Sequence, residues 1–193
     1  MNNTIMEWNK SGAIVYNGKL AFQNENAFPA FLSLFDREQF DTIVEIGTAD
    51  GGLTLFLRDN MPNSTIHSFE CNMDNVYGDE FAGINIHLAD AMTDANLQLI
   101  NSIILSGNKV LVICDGGSKI SEFNTFSKML KPGNFIMAHD YCDTKENFNN
   151  NIMGKFWAWC EIWDEPISDS LKTLIKYTAV DFTHAVRLCC YKG

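Results

Sequence analysis

Positive charge is scarce in this chain. Only 14 Lys and Arg stand against 24 Asp and Glu, a formal net charge of -10 over 193 residues. No run of Lys or Arg gathers the cations into a patch, so a nucleic-acid groove is not expected, since phosphate binding needs clustered bases. None of the six cysteines (Cys71, Cys114, Cys142, Cys160, Cys189 and Cys190) forms a C-x-x-C pair. That argues against a zinc ribbon or a thioredoxin-type motif. Several sit in apolar runs, as Cys114 does in "VLVICD", and read as buried free thiols of a reducing compartment. No apolar run approaches the ~20 residues of a membrane span. The opening "MNNTIMEWNK" lacks the basic-then-apolar pattern of a signal peptide. The expected location is the cytoplasm, with no membrane partner. There is no repeat, low-complexity tract or Pro/Gly/Ser linker, so a single domain over residues 1–193 is expected.

What is present is a rhythm. The stretch 26–40 places Phe28, Phe31, Leu32 and Phe35 on one face of a helix. Then short apolar runs alternate with amphipathic ones. "TIVEIG", "STIHSFEC", "INIHLAD", "KVLVICD" and "NFIMAHD" read as strands. "GLTLFLRDN", "DANLQLINSIIL" and "SEFNTFSKML" read as helices, the last stopped by Lys131-Pro132-Gly133. Such alternation implies parallel strands joined by right-handed crossovers, and unbroken apolar strands imply a sheet covered on both faces. The predicted fold is α/β: a doubly wound, mostly parallel sheet. Residues 1–25 read as an N-terminal appendage with a hairpin around Asn17-Gly18. After residue 141 the pattern predicts a helix over 144–159, a short strand in "CEIWD" and a helix in "PISDSLKTL". One or two closing strands are expected to follow, running antiparallel.

In such sheets, ligands bind at the carboxyl ends of the strands. Five predicted strand ends carry an acid there: Glu45, Glu70, Asp90, Asp115 and Asp140. Any one of them could be a solvated loop starter; the set suggests a site. After the first strand, Gly47, Gly51 and Gly52 let backbone approach a ligand, and a helix start offers free N–H groups. Glu70 suits a ribose diol, which it can accept through two hydroxyl hydrogen bonds. The spacing is not the G-x-G-x-x-G of a dinucleotide site. Glu45 before the turn would repel a pyrophosphate and suit a cationic group such as an amine or a sulfonium.

These residues resemble the class I S-adenosylmethionine-dependent methyltransferases. The carriers are "VEIGTADGG", "HSFE", "LADA" and "LKPGNFIMAHDY", over about residues 42–141. The resemblance implies a Rossmann-like fold with an antiparallel C-terminal strand. It also implies S-adenosylmethionine bound by Glu45, Gly47, Thr48, Asp50, Gly51, Gly52, Glu70, Asp90, Ala91 and Asp115. A narrower resemblance is to small metal-dependent O-methyltransferases of the macrocin, catechol and cephalosporin-hydroxylase-like types, carried by "CDGGSK" and "AHDY". It implies Mg²⁺, or the softer Mn²⁺ or Fe²⁺, on Asp115, His139 and Asp140, holding the hydroxyl of a small-molecule acceptor. The chain departs from that pattern. Ser118 stands where the macrocin type has a histidine, so Lys119 could take the base role, or could be a solvated helix-start residue. His139 replaces an expected acid and could instead only pack or cap a loop. Asp115, Lys119 and His139 are the catalytic candidates.

Other features carry less. His67 and His87 read as strand side chains, and His184 shows no visible partner. Phe156, Trp157, Trp159 and Trp163 read as core packing, though one ring could face the site. Cys142 next to Asp140 has no evident base. The substrate side is expected from residues 1–25 and 142–193, with capping by the N-terminal segment or by a second copy in a homo-oligomer. Two alternatives stand beside the transferase: a non-catalytic nucleoside-binding protein and a nicotinamide-dependent oxidoreductase.

Overall fold

The computed structural model describes residues 14–24, 26–72, 78–155, 158–182 and 186–193, with the backbone of Glu7–Trp8. His184, Phe156 and Trp157 lie outside the described residues.

The sequence rhythm becomes a seven-stranded sheet. Strand β4 (Thr42–Ile46) leads through helix α2 (Gly52–Asn60) to β5 (Thr65–Glu70) and then β6 (Asn85–Leu88). Helix α3 (Asp94–Ser106) leads to β7 (Val110–Cys114), and α4 (Lys119–Phe126) to β8 (Phe135–His139). The order is β6-β5-β4-β7-β8-β10-β9, where β9 is Ile175–Lys176 and β10 is Leu188–Lys192. The five strands β4 to β8 pair in parallel, and β10 runs antiparallel to both β8 and β9. Strand order reverses between β4 and β7, which opens a crevice at their carboxyl ends. This is a doubly wound, Rossmann-like α/β fold. No helix among the described residues is long and apolar enough to cross a membrane.

Every residue of β4, β7 and β8 is buried, as unbroken apolar runs require of a sheet covered on both faces. Alternate side chains feed two cores. Ile43, Ile113 and Met137 pack under α2 and helix α1 (Ala27–Arg37). Val44, Val112 and Ile136 pack with residues of α3 and α4 on the opposite face.

The N-terminal segment is not peripheral from residue 14 onward. Strands β2 (Ile14–Tyr16) and β3 (Lys19–Leu20) form a hairpin, extended by β1 (Glu7–Trp8). Asn17 and Gly18 turn it with φ of 50° and 80°, the paired positive angles of a type I′ turn. Tyr16 is buried edge-on against Phe28 and Phe56. The tail departs from expectation. Helix α5 (Lys145–Asn147) runs into a π-helical turn, Phe148–Ile152, and ends there, with Gly154 at φ 73° just beyond. The strand expected in "CEIWD" is a single bridge from Ile162 to Tyr141. The expected helix in "PISDSLKTL" is a 3-10 turn, Glu165–Ile167, followed by the short helix α6 (Ser168–Leu171).

Candidate functional site

Two adjoining cavities open at the crevice. One, of about 220 Å³, is bounded by the turn after β4, the end of β5, the loop after β6 and Asp115-Gly116-Gly117. The other, of about 290 Å³, is bounded by the same turn, Ala21-Phe22, Asp115, Lys119, His139-Asp140, Trp159 and Arg187. Gly47, Ala49 and Asp115 line both. Each alone falls below the usual ~300–1,000 Å³ of a small-molecule site, and the joined pair falls within it.

In the first cavity, Glu70 is nearly buried at the end of β5. One of its carboxylate oxygens accepts from the Ala49 N–H at 2.7 Å and the other from the Asn72 N–H at 2.7 Å. Both oxygens keep lone pairs for a ligand diol. Gly47 has φ 92°, and a Cβ there would lie 2.3 Å from the Asp115 carbonyl oxygen, so only glycine fits between the two loops. Asp90 and Ala91 line the cavity too. Asp90 is exposed and closes its own turn, accepting from the Met92 N–H at 2.8 Å. Glu122, at the start of α4, accepts from the Gly116 and Ser118 N–H groups; burial outweighs these bonds and raises its carboxyl.

Other residues of the first motif do structural work. Glu45 lines neither cavity. It is fully buried under α2, accepting from Thr54 Oγ1 at 2.6 Å and from Ser68 Oγ. Its Oε1 has no hydrogen-bond partner among the described residues. Burial pushes its carboxyl up to about 7, against the lowering pull of Ser68 and Thr54. Thr48 bonds Ser68 at 2.7 Å and lines the second cavity. Asp50 turns to the hairpin, accepting from the Leu20 N–H at 2.6 Å. Gly51 and Gly52 line neither cavity. A Cβ on Gly51 would meet the Phe81 ring at 2.4 Å, and one on Gly52 the Leu20–Ala21 backbone at 2.6 Å. Their smallness serves packing of the hairpin and of Phe81.

The second cavity holds the chemistry. His139 ends β8, 4% exposed, with Nδ1 3.1 Å from Asp115 Oδ1. A carboxylate can only accept, so Nδ1 carries the proton, and in the neutral ring Nε2 is the basic nitrogen. Nε2 has no partner among the described residues. The second Asp115 oxygen accepts from Gln23 Nε2 at 2.7 Å. Lys119 is 7% exposed, and its Nζ donates to Glu161 Oε2 at 2.6 Å and to the Gly116 carbonyl at 3.1 Å. Asp140 Oδ2 and Asp115 Oδ1 lie 3.5 and 3.6 Å away. Burial would lower this lysine, but Asp115, Glu161 and Asp140 together raise it above its ordinary value. It is therefore an ammonium at neutral pH, which suits an anchoring cation more than the base role the sequence left open, and at 7% exposure it is not the solvated helix-start residue that was the alternative. Asp140 is ion-paired with Arg187.

This cavity is also where backbone strain collects. Phe22, Ala49, Asp140 and Arg187 have φ of 47°, 50°, 56° and 63°, and all four line it. Phe22 and Trp159, 52% and 61% exposed, stand at its rim. The Trp159 indole N–H donates to Glu161 Oε1 at 2.8 Å, so the ring is exposed but oriented. It is not the core packing that helical spacing suggested. Trp163 instead takes the Lys145 ammonium over its face at 4.6 Å.

The fit of a divalent ion to Asp115, His139 and Asp140 is poor. Among the described residues, no group of three His, Cys, Asp or Glu is arranged to hold a metal. The Asp115 and Asp140 oxygens already face the Lys119 ammonium, the Arg187 guanidinium and the Gln23 amide. Two unit charges ~4 Å apart repel by about 4 kcal/mol at an effective dielectric of ~20, and a dication doubles that.

Gln23, Glu161 and Arg187 were not among the sequence candidates. Nothing local marks them, because each reaches the site from a distant part of the chain. The remaining candidates are quiet. Burial pushes the Cys142 thiol up to about 11, away from a reactive thiolate. All six cysteines are free, and Cys71 is exposed. His67 and His87 face each other across β5 and β6 at 3.2 Å, with His87 stacked on Phe69, and neither histidine lines a cavity.

No family model and no curated protein matches the chain. Solved structures do. An apo structure of CmcI aligns with a TM-score of 0.72 at 10% identity, over 95% of this chain and 77% of its own. CmcI with Mg-SAM aligns at 0.65 and 12% identity, over 93% and 76%. A putative caffeoyl-CoA O-methyltransferase from Staphylococcus aureus aligns at 0.59 and 13% identity, over 88% and 84%. At such identities the likeness is one of fold.

Proposed function

We propose that the chain is an S-adenosylmethionine-dependent O-methyltransferase. The nucleoside would lie in the Glu70 cavity and a small-molecule hydroxyl acceptor in the cavity of Asp115, Lys119 and His139. The observation that carries this reading is the junction between the two. Gly47, Ala49 and Asp115 line both cavities, so a ligand in one abuts a ligand in the other. The same-fold neighbours support it, since CmcI has been solved with Mg-SAM and others are O-methyltransferases by name.

The residues present fit such a cofactor. Glu70, oriented by two backbone N–H groups, would accept the ribose hydroxyls. Gly47 lines the same cavity, and Asp90 and Ala91 would flank the base. Bound there, the cofactor supplies a methyl group on a sulfonium. The chain's own residues do the rest. Asp115 fixes the His139 ring with Nε2 buried and unpartnered among the described residues, and His139, which lines the cavity, would serve as the base for the acceptor hydroxyl proton. Lys119 lines the same cavity as His139 and would steady the resulting oxyanion. Phe22 and Trp159 would shield the acceptor at the mouth, and positioning contributes much of the rate. The poor fit of a metal means no step here uses one.

Equilibrium titration with S-adenosylmethionine, S-adenosylhomocysteine and NAD tests the reading. Binding of the first two in preference to NAD is expected. Preference for NAD would instead favour the nicotinamide-dependent oxidoreductase. Transfer of label from methyl-labelled cofactor to a panel of hydroxylated compounds then separates an enzyme from a non-catalytic binding protein.

A further inference from the structure

We infer that the Lys119 ammonium takes, from within the chain, the place that a divalent ion holds in metal-assisted methyl transfer, so that transfer here needs no metal. This rests on the methyl-transfer reading above. Three carboxylates from separate parts of the chain converge on one point: Asp115 after β7, Asp140 after β8 and Glu161 from the loop beyond. Convergent carboxylates are what a hard dication seeks. Here the point is filled by Nζ, at 2.6 Å from Glu161, 3.5 Å from Asp140 and 3.6 Å from Asp115.

The outer oxygens are committed as well. Asp140 is paired with Arg187, and Asp115 accepts from Gln23 and His139. An ion entering this cluster would have to displace a side chain rooted in the first turn of α4. Of the three ammonium N–H donors, two are used at hydrogen-bond distance, by Glu161 and the Gly116 carbonyl. The third has only the longer contacts to Asp140 and Asp115, at 3.5 and 3.6 Å, and an acceptor oxygen entering the cavity that Lys119 lines would compete with them for it. A compact point charge of this kind stabilises a developing oxyanion. It also changes what the acceptor must be. A metal offers adjacent open positions to a chelating diol, whereas one ammonium donor needs one oxygen. A single hydroxyl therefore suffices.

Binding of Mn²⁺, followed by loss of the free-ion paramagnetic resonance signal, tests this with the metal alone. Wild-type protein should leave the signal unchanged at millimolar ion. Lys119→Ala should bind Mn²⁺ at least ~10-fold more tightly than wild type, because the three carboxylates, not arranged to hold an ion while Lys119 stands among them, lose their cation and are free to close on one. Lys119→Met, which keeps the side-chain volume, should do the same and guards against a folding defect in the alanine variant. Stoichiometric binding to wild type that is lost in Asp115→Asn would overturn the inference. So would absence of any gain in both lysine variants. S-adenosylhomocysteine titrated into the same samples reports separately on the methyl-transfer reading: failure there, with the Mn²⁺ pattern intact, would sink that reading and not the internal cation.

Discussion

At the scale of single residues, Glu45 and His139 show how burial and partners divide similar-looking polar groups between structure and chemistry. Glu45 is an acid inside a strand, closed off from both cavities and raised to about 7 from 4.5. A carboxyl raised in the folded state binds more protons folded than unfolded between those two values. Stability therefore falls as pH rises from about 4.5 to about 7 and is flat above, a total of about 3 kcal/mol. Glu45→Gln, which keeps the shape without the charge, is expected to be more stable than wild type by ~1–3 kcal/mol at pH 8 and within ~1 kcal/mol of it at pH 5. Urea denaturation at the two pH values reads the difference. His139 is oriented by Asp115 and keeps one nitrogen unpartnered among the described residues. His139→Ala should lower the methyl-transfer rate by ~10²-fold or more while leaving S-adenosylhomocysteine affinity within a few-fold, measured on the same preparation. Equal losses in rate and affinity would mean that His139 supports the cavity and does not act on the acceptor.

At the scale of elements, the turn after β4 is the piece on which both cavities depend. Gly47→Ala would force a Cβ into the Asp115 carbonyl at a backbone angle that L-residues rarely adopt. A loss of ~2–4 kcal/mol in stability is expected, with nucleoside binding weakened in whatever fraction folds. Gly52→Ala acts on the hairpin instead. Its Cβ would strike the Leu20–Ala21 backbone and should loosen β2–β3. Gln23 would then lose its hold on Asp115, so protease sensitivity around residues 14–24 should rise before global unfolding does. The core strands were legible in the sequence because their apolar runs are unbroken and are punctuated by Gly, Pro and acids. The first motif was legible as a turn, but the separate duties of its residues were not. Glu45, Asp50, Gly51 and Gly52 answer to neighbours on β5, the hairpin and Phe81, and the local pattern is silent about those. The same holds for the residues missed altogether. Gln23 meets Asp115 across 92 positions, Glu161 meets Lys119 across 42, and Arg187 meets Asp140 across 47. The tail misled for a different reason. Aromatic residues at helical spacing resemble a core face, but the helix stops at Ile152 and leaves Trp159 exposed at the cavity rim.

At the scale of the whole molecule, the strand order decides where chemistry can occur. Reversal between β4 and β7 puts the ends of β4, β5, β7 and β8 around one crevice, and four acids of the sequence pattern come to its walls. Glu70 and Asp90 face the first cavity, Asp140 the second, and Asp115 both. The net charge of -10 is met inside the second cavity by Lys119 and Arg187, which pair with the acids there. With their carboxylates already paired to Lys119 and Arg187, Asp115 and Asp140 offer little to a metal ion entering the second cavity. Nucleoside binding at Glu70 is tested most directly by calorimetric titration of S-adenosylhomocysteine into the wild-type protein and into Glu70→Ala, both in chelator and both checked for native circular dichroism. Micromolar binding to wild type without metal is expected, weakened by ~10-fold or more in the variant, where the diol acceptor is gone. No binding to folded wild-type protein, or equal binding to both proteins, would contradict nucleoside binding at Glu70.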